Sequence, residues 1–181
     1  FFPAEACGGL AAIKAMSAPY GGIKFMPTGG INEKNIDSYL AFGKIHACGG
    51  SWMVKDALIK NGEFDEITRL TREAVNKVLG FELGHVGINC ECENCAADVA
   101  NQFANIFGFA VKNGNSSIFA GAGIEVNKSK GLGTHGHIAI KTKNLSRAVA
   151  YLERMGVALN ADSKKFDANG NMVAIYLADE F

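Results

Sequence analysis

The chain has 181 residues, of which 48% are hydrophobic and 20% are charged, and its formal net charge is zero. The length allows one domain or two small ones, and the composition is ordinary for a globular protein. No cluster of lysine and arginine stands out, and no apolar stretch is long enough to cross a bilayer. Neither a nucleic acid nor a membrane is therefore an expected partner.

The cysteines and the chain ends add two expectations. Three of the five cysteines, Cys90, Cys92 and Cys95, are too close together for a long-loop disulfide framework. This spacing favours reduced thiols in a surface turn and a cytoplasmic protein, since a structural zinc site would need four ligands. The chain starts at Phe1 and stops at Phe181 after an apolar run, so we expect a fragment of a longer protein.

Short apolar runs alternate with helical patterns in residues 1–80. In chain order, the predicted elements are a helix over 9–16, a strand over 23–27, a helix over 32–42 with Asn32 as its N-cap, a strand over 45–48 and an amphipathic helix over 64–79. Gly80 is a suitable C-terminal stop for the last helix. Strands that alternate with helices predict βα units and a parallel sheet.

Two glycine pairs follow the two predicted strands. The first turn holds Thr28, Gly29 and Gly30, and the second holds Gly49, Gly50 and Ser51. Glycine lets the backbone approach a ligand and turn its N–H groups towards it, and a following helix adds the positive end of its dipole. Either pair alone is more often a tight turn. Together, each with a neighbouring hydroxyl, they favour a site for a phosphate or a carboxylate.

Residues 81–181 contain an internal repeat. GHVGI at 84–88 recurs as GHIAI at 136–140, FGFAV at 107–111 as MGVAL at 155–159, and NGN at 113–115 again at 169–171. Each copy is predicted to run strand, helix, turn, strands, with helices over 96–107 and 145–155. The second copy stops where its last strands are due.

His85 and His137 occupy the same place in the two copies. A single histidine in an apolar strand is usually a core residue with a satisfied partner. Two at equivalent positions point towards each other if the modules pair, and Glu125 on the last strand of the first copy can supply an oxygen. Histidine and carboxylate ligands suit zinc or another divalent transition metal.

The motifs of residues 1–79 resemble those of the 2-keto-3-deoxy-6-phosphogluconate / 4-hydroxy-2-oxoglutarate aldolases. FFPAEACGG, PTGGIN and GGSWMV occur in this order and spacing before a closing helix, ITRLTREAV. The resemblance implies an α/β fold, with residues 1–80 as about the last three βα units of a (β/α)8 barrel, and a homotrimer when the protein is full length. It also implies a class I aldolase that needs no cofactor and releases pyruvate and an aldehyde from a small keto acid or a phosphorylated sugar acid.

Carried over residue by residue, this resemblance assigns Phe2 to the wall of the substrate pocket, although its side chain alone would suggest core packing. It assigns Thr28, Gly29 and Gly30 to the pyruvyl carboxylate end of the substrate, and Gly49, Gly50 and Ser51 to its phosphate.

The catalytic lysine is where the chain departs from the aldolases. In the family this lysine stands directly before FFPAE, so it is expected just before Phe1, and no catalytic residue is assigned within the chain. The lysine amine condenses with the ketone, and the resulting iminium accepts the electrons of the cleaved C–C bond. Lys14 and Lys24 are interpreted as surface charges. The fragment itself is therefore expected not to cleave the substrate.

Residues 81–181 resemble the vicinal oxygen chelate superfamily, which includes glyoxalases, bleomycin-resistance proteins and extradiol dioxygenases. GHIAIKTKNLSRAVAYLERMG is similar to the opening of its module. The resemblance implies an α+β domain of paired βαβββ modules with its last strands missing. It places His85, Glu125 and His137 at three of four metal positions, where a divalent metal would act as a Lewis acid on a chelated oxygen pair.

Three functions are compatible with these patterns. We favour a bifunctional protein in which an aldolase barrel, with Ser51 favouring a phosphorylated substrate, carries an appended chelate-fold domain. In the second hypothesis the chelate domain is the functional unit, a metal-dependent lyase or dioxygenase. In the third, that domain binds a small molecule without chemistry and regulates or oligomerises the barrel.

Overall fold

The architecture is mixed α/β in the computed structural model, which describes residues 1–180. The chain divides into two compact units, Phe1–Gly80 and Phe81–Phe181. Within the described residues, no helix combines the length and the apolar character that a bilayer span requires.

The first unit contains helices and short parallel segments. Its helices are α1 (Gly9–Ser17), α2 (Ile36–Leu40), α3 (Asp56–Lys60) and α4 (Phe64–Leu79). Parallel bridges join Phe25 to Ile45 and Thr28 to Gly49. On the other side of the same segment, the Ala4 amide donates to the Thr28 carbonyl at 2.8 Å and the Thr28 amide donates to the Phe1 carbonyl at 2.9 Å. Three segments of the chain therefore run side by side.

These observations correct several predictions for the first unit. The strands predicted over 23–27 and 45–48 form only isolated bridges. The helix predicted over 32–42 begins at Ile36, and Asn32 is not its N-cap. The side-chain oxygen of Asn32 instead accepts from the Lys34 amide at 2.9 Å, and that of Asn35 accepts from the Asn32 amide at 2.8 Å. These side-chain bonds hold a turn where the helix was expected, because asparagine offers the backbone a local alternative.

The predicted amphipathic helix over 64–79 is present with the same bounds as α4, and Gly80 closes it in the left-handed conformation with φ 58°. The unit has one buried cluster, around which partly buried rings such as Phe25 and Trp52 pack. Its buried members are Ala4, Ile13, Ile31, Ile36, Tyr39 and Ile45. Residues from all three parallel segments and from the first two helices thus share one core.

The second unit is built on a five-stranded sheet. Its elements are β1 (Glu82–Asn89), α5 (Glu93–Phe107), β2 (Val111–Asn113), β3 (Ser117–Ala120), β4 (Ile124–Asn127), β5 (Gly136–Lys141), α6 (Leu145–Arg154), β6 (Leu159–Phe166) and β7 (Met172–Leu177). The strand order is β2-β3-β4-β1-β5, and β6 and β7 form a separate hairpin. β1 pairs in parallel with β4 and antiparallel with β5.

The helix predicted over 96–107 begins three residues earlier, at Glu93, because Cys92 acts as its N-cap and its sulfur accepts from the Cys95 amide. Cys92 and Cys95 form a disulfide, so the expectation of reduced thiols there is wrong. A separation of three residues rules out a long loop, but within one helical turn it brings the two Cα atoms to 5.2 Å, a distance that a disulfide can span. The helix predicted over 145–155 ends at Arg154.

The two faces of the five-stranded sheet differ in chemistry. One face packs against α5 through a cluster of Ala96, Ala100, Ile118, Ala120 and Val126. Because side chains alternate along a strand, Glu125 on β4 points to the opposite face from Val126. Gly87 on β1 pairs with both Glu125 and His137, so these residues, together with His85 two positions before Gly87, share that opposite face.

Candidate functional site

The two glycine turns of the first unit start side by side. The bridge between Thr28 and Gly49 joins the residues at which they begin, and the Gly49 amide donates to the Pro27 carbonyl at 2.9 Å. A Cβ on Gly49 would lie 2.6 Å from the Thr28 hydroxyl oxygen. The hydroxyl of the first turn therefore lies directly against the glycine of the second.

The first turn depends on glycine for both its conformation and its space. Gly29 and Gly30 have φ values of 97° and 80°, which side-chain-bearing residues rarely adopt. A Cβ on Gly29 would lie 3.1 Å from the Phe2 ring, and one on Gly30 would lie 2.6 Å from Cβ and Cγ of Glu5. The Phe2 side chain is 74% exposed, so it is a neighbour of the turn and not a core residue.

The second turn presents an exposed hydroxyl. Ser51 is exposed, and Gly50 before it has no room for a side chain, because a Cβ would overlap the Trp52 ring and lie 3.0 Å from the Ile31 carbonyl. Trp52 is partly buried and packs on the core of the unit. The structure thus brings the seven residues assigned to the substrate into two adjoining turns and the ring beside them.

Two features of this region were not expected from the sequence. α2 begins six residues after Gly30 and has only five residues, so it offers the turn no helix dipole. The side-chain amides of Asn32 and Asn35 instead donate to the Gly30 carbonyl at 3.1 and 3.0 Å and fix that peptide. Composition and periodicity give no signal for such local side-chain bonds.

The second unexpected feature is Glu5, which the sequence did not single out. Its carboxylate accepts a short hydrogen bond from the buried hydroxyl of Tyr39, and its amide donates to the Gly29 carbonyl at 3.1 Å. Burial, together with the neighbouring Glu5 carboxylate, raises the pKa of Tyr39 to about 12. Glu5 therefore connects the glycine turn to α2.

The lysines weighed as replacements for the catalytic amine lie elsewhere. The Lys14 ammonium sits over the Phe42 ring, 5.7 Å from its centroid. The Lys24 ammonium donates to the Gly43 carbonyl at 3.0 Å. Neither contact involves the glycine turns, so neither lysine is placed to react with a ligand bound there.

The second unit brings His85, Glu125 and His137 together. One Glu125 carboxylate oxygen lies 2.8 Å from Nε2 of His85 and 3.3 Å from Nε2 of His137. The two Nε2 atoms are 3.0 Å apart. All three side chains are partly buried, with 23%, 17% and 15% exposed for His85, Glu125 and His137.

This triangle of donor atoms cannot be satisfied by hydrogen bonds alone. Three short edges would need three hydrogens, whereas two neutral imidazoles supply at most two at their Nε2 atoms. A metal ion with ligands at about 2.1 Å sets neighbouring donor atoms about 3.0–3.4 Å apart. Two of the three edges, 3.0 and 3.3 Å, lie in that range, and the third, 2.8 Å, is slightly shorter.

The surroundings of the cluster hold it in position. The second oxygen of Glu125 accepts from the buried Ser117 hydroxyl at 2.7 Å, which orients the carboxylate. A Cβ on Gly87 would overlap the His137 ring, so glycine is what leaves room for that imidazole. Burial lowers the pKa of His137 despite the opposing effect of Glu125. The neutral form, which binds metals, is therefore favoured.

The first unit thus belongs to the class of mixed α/β structures in which glycine turns meet at the ends of parallel segments. The sequence profile of the KDPG and KHG aldolase family matches residues 1–70. The 2-dehydro-3-deoxy-phosphogluconate aldolase of Haemophilus influenzae is 54% identical over 76 residues, which are 42% of this chain and 36% of that protein. The KHG/KDPG aldolase of Escherichia coli K12 is 47% identical over 75 residues, 41% of this chain and 35% of that protein.

A solved structure is also similar in sequence. It is a crystal structure of KDPG aldolase from Legionella pneumophila with pyruvate captured as a covalent carbinolamine intermediate, and it is 47% identical over 39% of this chain and 34% of its own, with a TM-score of 0.38. The chain spans about a third of the length of the curated relatives it matches. Over the matched residues, the sequence similarity to KDPG and KHG aldolases agrees with the resemblance predicted for the first unit.

Proposed function

We propose that the first unit supplies the anion-binding turns of a class I aldolase that cleaves 2-dehydro-3-deoxy-6-phosphogluconate or 4-hydroxy-2-oxoglutarate to pyruvate and an aldehyde. The observation that carries the proposal is the backbone bridge between Thr28 and Gly49, which joins the two turns. Both turns lie in a segment that is up to 54% identical to such aldolases. The complete protein is proposed to be a cytoplasmic homotrimer on a (β/α)8 barrel.

In this proposal the first turn holds the carboxylate of the substrate with the Thr28 hydroxyl and the backbone of Gly29 and Gly30, while Phe2 covers the ligand. Gly50 and Ser51 hold the phosphate or the distal polar end. A lysine amine, proposed to stand next to Phe1, adds to the C2 ketone and loses water to form an iminium. A general base takes the proton of the C4 hydroxyl, the C3–C4 bond breaks, and its electrons move into the iminium to give an enamine as the aldehyde leaves. Protonation of the enamine at C3 and hydrolysis by water then release pyruvate and the free lysine amine.

A chimera tests this proposal directly. Residues 1–70 of this chain, which the family profile matches, replace the corresponding segment of the Haemophilus influenzae aldolase, which keeps its own lysine and remaining barrel. We expect the chimera to retain aldolase activity within about tenfold, because the turns would hold the same transition-state anion. Thr28→Val in the chimera should raise KM for pyruvate-releasing cleavage, whereas Lys24→Gln should not. A soluble, folded chimera without activity would contradict the proposal.

The second unit supports a second candidate function, that of a metal-dependent enzyme of the vicinal oxygen chelate type. The observation that favours it is the triangle of donor atoms of His85, Glu125 and His137, all within 4.8 Å of one another. Its first repeat also runs strand, helix and three strands in the spatial order β2-β3-β4-β1, which fits a βαβββ module.

The donor set is the basis for choosing the metal. Two imidazoles and one carboxylate suit zinc or a divalent transition metal, and they leave positions open for other ligands. When bound, such a metal would supply Lewis-acid chemistry at a chelated pair of oxygens. The residues of this chain hold the ligands in register, since Ser117 orients the carboxylate and Gly87 makes room for His137.

Metal titration of the whole chain tests this candidate. We expect zinc or cobalt to bind with one equivalent, and His85→Ala or His137→Ala to weaken binding at least about a hundredfold through loss of a ligand. His46→Ala, a histidine in the first unit, is the matched control and should bind as the parent does. If the two ligand variants kept the parent's metal content and the same circular dichroism spectrum, the metal site would be refuted. The second unit would then remain a candidate only for a metal-free binding module.

A further inference from the structure

A cavity of about 380 Å³ opens beside the histidine–glutamate cluster of the second unit. Its wall includes His137, so a molecule in the cavity is next to the cluster. The residues that the β6–β7 hairpin contributes to the lining are Asp162, Ser163, Lys164, Lys165 and Tyr176. The volume lies in the range of small-molecule sites and admits a ligand of several non-hydrogen atoms.

The wall around His137 is rich in donors. The Tyr176 ring stands edge-on to the His137 ring, with centroids 5.9 Å apart. No hydrogen bond to the Tyr176 hydroxyl is formed by residues 1–180, although its backbone amide donates to Ser163 Oγ at 2.8 Å. A tyrosine phenol is neutral near pH 7, so it can donate a hydrogen bond to a ligand in the cavity.

Two lysines give this wall a positive character. Neither Lys164 nor Lys165 forms an ion pair with the part of the chain that the structure describes, and Asp162 is the single acidic residue that lines the cavity. A lysine on a cavity rim is often no more than a solvated charge. Lys165 differs because it lines the cavity together with His137 and Tyr176, and its backbone pairs with Ala174, two residues before Tyr176.

We infer that this cavity binds a small organic anion, with its carboxylate or phosphate held by Lys165 and Tyr176 and its opposite end directed at the His85–Glu125–His137 cluster. The inference rests on the second candidate function, which it extends by naming the substrate class. An ammonium and a phenolic hydroxyl together match an anionic oxygen, because charge-assisted hydrogen bonds are about twice as strong as neutral ones. A neutral ligand of the same shape would not form a hydrogen bond with Lys165 in which both partners are charged, so it should bind more weakly.

Binding of benzoate and benzamide to the whole chain tests the inference. The two probes have nearly the same shape and differ in charge, and the backbone amide shifts of Lys165 and Tyr176 report binding at this cavity alone. We expect benzoate to bind at least about tenfold more tightly than benzamide, and Lys165→Gln to remove that preference. Lys112→Gln, on exposed β2, is the matched control and should keep it. Titration with inorganic phosphate, as a third probe, shows whether the site prefers a carboxylate or a phosphate.

The outcomes separate this inference from the function on which it rests. Equal binding of the two probes, or an equal loss in the Lys165 and Lys112 variants, would overturn the anion site. Zinc affinity is measured in parallel, and Lys165→Gln should leave it unchanged because Lys165 is not a ligand. A chain that binds no metal but still prefers benzoate would refute the metal enzyme and retain the anion site.

Discussion

Replacement of Gly87 by alanine is expected to weaken the zinc binding proposed for the second unit by up to about a hundredfold, without contact between residue 87 and the metal. Gly87 on β1 pairs with His137 on β5, and a Cβ at that position would overlap the His137 ring. The backbone of a central strand cannot retreat, so the imidazole has to rotate away. Its Nε2 then leaves the triangle with His85 and Glu125, and one of three ligands is lost.

Isothermal titration with zinc measures the effect, and circular dichroism shows whether the fold is kept. Gly123→Ala is the matched control, since a Cβ there meets no atom within 4 Å. The double variant Gly87→Ala/His137→Ala should bind zinc no more weakly than Gly87→Ala alone, because both changes remove the same ligand. Wild-type affinity in Gly87→Ala would contradict the role assigned to this glycine.

The internal repeat was the sequence feature that pointed to the His85–Glu125–His137 cluster. It placed His85 and His137 at equivalent positions, and the structure brings them within 3.0 Å of each other. The two copies differ at the position two residues after the histidine, and the strand register explains this difference. Residue 87 is glycine in the first copy and its counterpart is Ala139 in the second. Ala139 pairs with His85, whereas Gly87 pairs with the more tightly packed His137.

The fold of the first unit was predictable in proportion to the length of its elements. α4 has 16 residues with a continuous apolar stripe, and its bounds were predicted without error. α3 has only five residues, too few for a helical period to show, and it was missed. The predicted strands had the right position and parallel direction, but few backbone partners lie beside them, so each is reduced to bridges at single residues.

The two glycine turns were visible as sequence motifs, whereas the residues that support the first turn were not. The glycine turns were singled out from the sequence, yet Glu5, Asn32 and Asn35 hold the first turn through hydrogen bonds that depend on tertiary placement. A carboxylate bonded to a tyrosine 34 residues away leaves no periodic pattern. Residues that hold such a turn in place are thus harder to find from sequence than the turn itself.

Gly30→Ala is expected to destabilise the first unit by about 2–4 kcal/mol, the sum of backbone strain at a positive φ and of overpacking. The φ of 80° disfavours any side chain, and the new Cβ would lie 2.6 Å from Cβ and Cγ of Glu5. Glu5 cannot move aside freely, because its amide is bonded to the Gly29 carbonyl and its carboxylate to Tyr39. Chemical denaturation followed by tryptophan fluorescence of Trp52 measures the change.

Two further variants separate the cost of the positive φ at residue 30 from the cost of the steric clash with Glu5. Gly43→Ala is the matched control, since a Cβ there meets nothing within 4 Å and its φ is not positive. Its free energy of unfolding should change by less than about 0.5 kcal/mol. In Glu5→Gly/Gly30→Ala both clashing atoms of residue 5 are removed while the φ of residue 30 is kept. The loss of unfolding free energy in this double variant should therefore be smaller than the sum of the two single losses. Strict additivity would show that Glu5 does not restrain the turn, and the packing argument for this loop would then be wrong.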